Sequence, residues 1–129
     1  MPASNAPFGE EWISAYFTMV DTRDIDEMLT WYDDDCSFRF ANQEPAKGKA
    51  AIRAALEQFY ALITSMRHEK TGCWVKGDSG AFEAIAHFTT KSGKTLELPA
   101  VSTLRVRQGL IRDFRFVMDA APIMQDAGV

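Results

Sequence analysis

The chain has 129 residues, 47% of them hydrophobic and 12% aromatic, which fits one globular domain able to bury a core without disulfides or a structural metal. Its net charge of -4 comes from acidic and basic residues scattered together, so no clustered Lys and Arg face is on offer to nucleic acid. No apolar run approaches the roughly 18 residues of a membrane span, and Met1 to Phe8 lack the basic and apolar regions of a secretory signal, so no membrane partner and a cytoplasmic location are expected.

Pro7 suits a helix start, and Trp12, Ile13, Tyr16, Phe17 and Val20 form the apolar stripe of a first helix ending near Asp21 to Arg23. Asp24 caps a second, shorter helix, with Glu27 placed to complete a capping box and Ile25, Met28, Leu29 and Tyr32 on its buried side. Asp33, Asp34 and Asp35 read as a solvated helix end, since adjacent carboxylates repel one another and diverge. Cys36, Phe38 and Phe40 then alternate with Ser37 and Arg39 as a short strand, and the segment from Ala41 to Lys47, carrying Pro45, is a loop. Cys36 and Cys73 lack a Cys-x-x-Cys spacing and read as free thiols.

From Gly48 to Met66, apolar Ile52, Leu56, Phe59, Ile63 and Met66 recur at spacings of three and four, which predicts a long amphipathic helix against which the core is built. After it the period changes to two. Glu69 to Lys76 is a strand beginning just after His68, and the turn at Gly77 to Gly80 makes a hairpin with the next strand. That strand puts Phe82, Ala84, Ala86 and Phe88 on one face and Glu83, Ile85, His87 and Thr89 on the other. Leu96 to Val106 and Phe114 to Met118 alternate in the same way about the turn at Gln108 and Gly109. A short helix around Pro122 to Asp126 closes the chain.

The order of elements, with Tyr32 to Asp35 before a strand, Gly48, Ala51, Ile52 and Arg53 opening a helix, and four long strands after it, resembles the SnoaL-like proteins of the nuclear transport factor 2-like and ketosteroid isomerase-like superfamily. The likeness covers roughly Phe8 to Met124 within a single domain of 1–129. It implies an α+β cone, in which three N-terminal helices pack on the concave face of a curved, mostly antiparallel sheet around an apolar pocket. It also implies a homodimer through the outer face of the sheet, where Cys73, Ile85, His87, Val101, Thr103 and Val117 are expected. Tyr16 matches the oxyanion-donating tyrosine of ketosteroid isomerases, but their base falls at Phe40 and their second acid near Ser102. The carboxylate and histidine of SnoaL-type cyclases fall at Phe116 and Ser102, and the bracketing aspartates and arginine of epoxide hydrolases at Ser102, Ala100 and Phe116. None of these catalytic sets is complete, and function must come from the site and not from the fold.

The pocket is expected to be lined by Tyr16, Phe38, Phe40, Phe59, Phe82, Phe88, Ser102, Leu104, Phe114, Phe116 and Met118, and to hold a small apolar molecule. Tyr16 and Asp119 are the candidate catalytic residues, as oxyanion donor and base of an isomerase, cyclase or dehydratase acting on a carbonyl compound. A core role for Tyr16 and a helix cap for Asp119 are the plainer alternatives. His68 reads as a rim histidine and His87 as an outer-face one. No cofactor is expected, because no metal-ligand cluster, phosphate-cradling loop or Ser, His and Asp arrangement stands out.

Overall fold

The structure is a computed structural model that describes residues 7–128, so most of the N-terminal stretch inspected for a signal lies outside the described residues. In chain order the elements are α1 (Glu10–Val20), α2 (Ile25–Leu29), β1 (Tyr32–Phe40), β2 (Ala46–Lys47), α3 (Lys49–Tyr60), β3 (Ile63–Lys76), β4 (Ser79–Thr90), β5 (Thr95–Arg107), β6 (Leu110–Met118) and α4 (Ala121–Asp126). The strands form one sheet of order β2-β1-β6-β5-β4-β3, in which β1 and β6 run parallel and every other pair antiparallel. This is the expected α+β cone, with α1, α2 and α3 on the concave face of an unclosed, curved sheet.

Local chemistry explains most boundaries. Asp24 caps α2 by accepting from the Glu27 amide at 3.1 Å. Between β5 and β6 the two-residue turn needs positive φ at both positions, and Gln108 and Gly109 adopt 53° and 78°. Alternation then decides what is buried: Phe82, Ala84, Ala86 and Phe88 on β4 and Ala100, Ser102, Leu104 and Val106 on β5 all face the core. Arg105 and Arg115 stay outside.

Three expectations need correction, and each traces to a local break in regular pairing. The helix predicted to run from Gly48 to Met66 ends at Tyr60; Ile63 and Met66 belong to β3, which begins six residues earlier than Glu69. A bulge between Ile63 and Ser65 leaves both residues buried at a spacing of three, so the strand imitates the helical period there. Tyr32 and Asp33 to Asp35 lie on β1 and not on a helix, again beside an irregularity, between Tyr32 and Ser37. Cys73 was expected outside, but a second bulge between Lys70 and Gly72 pairs it with Phe82 and turns it toward the core. Both thiols, Cys36 and Cys73, are free.

The core is also centred differently from the expectation that it is built against α3. Helix α1 buries Trp12, Ile13, Tyr16, Phe17, Met19 and Val20, whereas α3 fully buries only Ile52 and Leu56. Phe17 stacks on Phe82 with ring centres 4.0 Å apart, and Trp12 packs edge-on to Trp31 at 5.0 Å. The space left between α3 and the sheet is the cavity described next. Among the described residues no helix is long and apolar enough to cross a membrane.

Candidate functional site

Between α1, α3, α4 and the concave face lies a cavity of about 470 Å³, within the range of small-molecule sites. Rings dominate its wall: Phe38 and Phe40 from β1, Phe114 and Phe116 from β6, Phe59 from α3, Phe88 from β4 and Phe17 from α1. Phe38 and Phe114 stack in parallel at 5.4 Å, and Phe40 packs on Phe116 at 5.3 Å, which follows from the parallel register that sets Phe38 beside Phe114 and Phe40 beside Phe116. The exposed lining residues Gln43, Gln58 and Met124 mark the mouth.

Of the residues expected to line the pocket, Tyr16, Phe38, Phe40, Phe59, Phe88, Phe114 and Phe116 do so. Phe82, Ser102, Leu104 and Met118 share the inward parity but are buried under the packed part of the core and do not reach the cavity. Asp119 is corrected as a base: its side chain is exposed, is absent from the wall, and accepts from the Ala121 amide at 3.0 Å at the start of α4. The N-cap of α4 is Ala120 and not Asp119, so the cap weighed against catalysis is not formed either, and Asp119 braces the residue that follows the cap.

The strongest chemistry comes from a pair not singled out in the sequence. His68, on β3, directs Nδ1 at the Asp21 carboxylate, 2.7 Å away, and the other Asp21 oxygen accepts from the His68 backbone amide at 3.0 Å. Asp21 sits at the C-terminal end of α1, so the last turn of a packed helix holds a side chain of the neighbouring strand. The His68 side chain is only 5% exposed and lines the cavity, with the Phe17 ring 5.0 Å away and Phe82 and Phe116 at 6.4 and 6.5 Å. Since a carboxylate only accepts, Nδ1 carries the proton shared with Asp21, and in the neutral tautomer of the ring the lone pair is on Nε2. Nε2 is buried and has no partner among the described residues. An unpartnered polar atom buried beside an apolar cavity is costly, so a group that bonded it would be favoured.

Tyr16 offers the complementary group. Its hydroxyl lies 2.7 Å from that of Tyr32, and both phenols are buried, which pushes their pKa values well above the ordinary range and keeps them protonated. Tyr16 lines the cavity and Tyr32 does not; either hydroxyl can donate in this pair, and when Tyr32 donates the Tyr16 proton is free for a ligand. His87 faces outward, as expected, between Glu69 at 2.8 Å and Glu97 at 3.3 Å. Among the described residues no group of three or more His, Cys, Asp and Glu is placed to hold a metal ion.

A sequence profile for the SnoaL-like domain matches residues 13–114, most of the chain. Among solved structures, a protein with a ketosteroid isomerase-like fold from Catenulispora acidiphila, in complex with trimethylamine, superposes with a TM-score of 0.80 at 17% identity over 95% of each chain. A candidate SnoaL-like polyketide cyclase from Jannaschia sp. CCS1 gives a TM-score of 0.77 at 13% identity, over 95% of this chain and 94% of that one. TerC, co-crystallised with polyporic acid, gives 0.77 at 20% identity, over 89% and 94%. No curated protein sequence matches the chain. At these identities the structural likeness shows the fold, and the profile shows the family: the chain belongs to the SnoaL-like domain family.

Proposed function

We propose that this SnoaL-like protein takes a small, mainly apolar carbonyl compound into its aromatic cavity and that His68 moves a proton on it, as an isomerase, cyclase or dehydratase would. The observation that carries the reading is the Asp21–His68 pair on the cavity wall, with a buried Nε2 that has no partner among the described residues. In this mechanism Nε2 removes a proton from the carbon next to the carbonyl, Asp21 stabilises the imidazolium that forms, and the Tyr16 hydroxyl donates to the oxygen where negative charge gathers. Tyr16 keeps the role first considered for it, and the base moves from Asp119 to His68. The same fold accommodates polyporic acid in TerC, which supports an organic ligand of this kind.

Exchange of the α-hydrogens of 1-tetralone in D₂O, followed by NMR, tests the reading without knowledge of the natural substrate. The protein should accelerate exchange, and His68→Gln should remove about 10²–10⁴-fold of that acceleration while 1-tetralone still binds. Asp119→Asn should leave it unchanged. Exchange that survives His68→Gln, or that disappears with Asp119→Asn, contradicts the assignment.

The proposal extends to two copies paired through the outer face of the sheet, where Trp74, Val101 and Val117 are exposed at 59%, 38% and 46%. Light scattering should then give twice the 14.5 kDa of one chain. Two free thiols suit a reducing compartment such as the cytoplasm.

A further inference from the structure

We propose that Tyr60 is a second hydrogen-bond donor to the ligand and that it selects neutral carbonyl compounds over hydrocarbons of the same shape. The proposal rests on the cavity being the ligand site, as argued above. Tyr60 is the last residue of α3 and lines the cavity. Among the described residues its hydroxyl reaches only the Met28 thioether sulfur, 3.9 Å away, and a thioether is a weak acceptor. Tyr16, by contrast, already has a phenolic partner at 2.7 Å. A hydroxyl whose proton meets only a thioether gains nearly a whole hydrogen bond from a ligand oxygen.

Tyr60, Tyr16 and His68 line the same cavity. Burial raises the Tyr60 pKa above the usual phenol range, and the charges of Arg23 and Asp21 are both felt there, the first lowering it and the second raising it. Tyr60 in turn raises the pKa of Tyr16. A phenol kept protonated donates, so the group it recognises is an acceptor. Among the described residues no Lys, Arg, Asp or Glu lines the cavity, so a carboxylate or phosphate entering it would lose its water without gaining a counter-charge. The geometry therefore points to an uncharged ligand with a carbonyl oxygen at the Tyr60 and Tyr16 end.

Calorimetric titration of wild-type protein and Tyr60→Phe with 1-tetralone and with tetralin, the same bicyclic skeleton without the oxygen, separates the oxygen from the shape. Tyr60→Phe should weaken 1-tetralone about 10-fold, the value of one hydrogen bond, and leave tetralin within about twofold. The tetralin titration also reports that the cavity is intact in the variant. Equal effects on both probes, or none on 1-tetralone, would overturn the role of Tyr60 while leaving the cavity as a ligand site. If neither probe bound wild-type protein, the reading of the cavity itself would fail, and the role of Tyr60 with it.

Discussion

Helices α1 and α3 lay aromatic faces on the same sheet, yet only α1 closes against it. On the α1 side the rings meet directly: Phe17 stacks on Phe82 at 4.0 Å, and Tyr16 packs within 5.6 Å of Phe114. On the α3 side Phe59 stands 5.8 Å from Phe88 and 6.1 Å from Phe40, each ring only touching the next around an empty middle. Aromatic content alone does not tell core from site; the difference lies in whether the facing rings interpenetrate. The candidate catalytic pair sits on the seam, because Asp21 ends the packed helix while His68 lines the open side.

The largest expected effect on stability comes from the packed half. Trp12 is 1% exposed and touches Phe8, Tyr16 and Trp31, so Trp12→Ala should cost about 3–5 kcal/mol in denaturant unfolding. A loss under about 1 kcal/mol would mean that the α1 side is not the tighter one. At the seam, Asp21→Asn keeps size but replaces the anion beside His68. It should lower α-hydrogen exchange of 1-tetralone on the order of 10²-fold, with 1-tetralone affinity nearly unchanged. Equal losses in both would make Asp21 a packing residue only.

In the open half, Phe59→Ala removes a half-buried ring that fronts empty space, so its cost should be about 1–2 kcal/mol, below the usual range for a buried Phe. Probe binding should suffer more than stability. The smallest effect concerns α4, which carries Met124 at the mouth. Ser92 Oγ donates to both Asp126 oxygens at 2.9 Å, and hydrogen bonds from Thr90 and Ser92 lower the Asp126 pKa below its ordinary 3.8. A lowered folded pKa gives a stabilisation that is present above the unfolded value and is lost as pH falls through the folded one. Wild type should therefore melt slightly above Asp126→Asn near pH 6, and the gap should close below about pH 3. A gap that widens in acid would reverse the sign.

Much of this was legible in the sequence where the periods are regular. The alternation of Phe82 to Phe88 and of Ala100 to Val106 placed both inner faces correctly. Errors gathered at the bulges, because a single extra residue shifts every later side chain to the other face. Gly72, in the middle of a strand, was the available sign of one such shift. His68 was read as a rim histidine because it was placed at the beginning of a strand, whereas β3 starts at Ile63 and sets His68 well inside it. Its partner Asp21 lies 47 residues away, and nothing local in the sequence joins a helix end to the middle of a strand. Likewise Phe82, Leu104 and Met118 have the right parity for the pocket, but parity cannot say how far α1 descends onto the sheet and covers them.

A crystal structure of the protein soaked with 1-tetralone tests the central claim most directly. The account predicts the ligand among Phe38, Phe59, Phe88 and Phe116, its oxygen within about 3 Å of a tyrosine hydroxyl and its α-carbon facing His68 Nε2. A ligand bound with its α-carbon away from His68, or an Nε2 closed off by a protein partner while Asp21 turns to solvent, would contradict it.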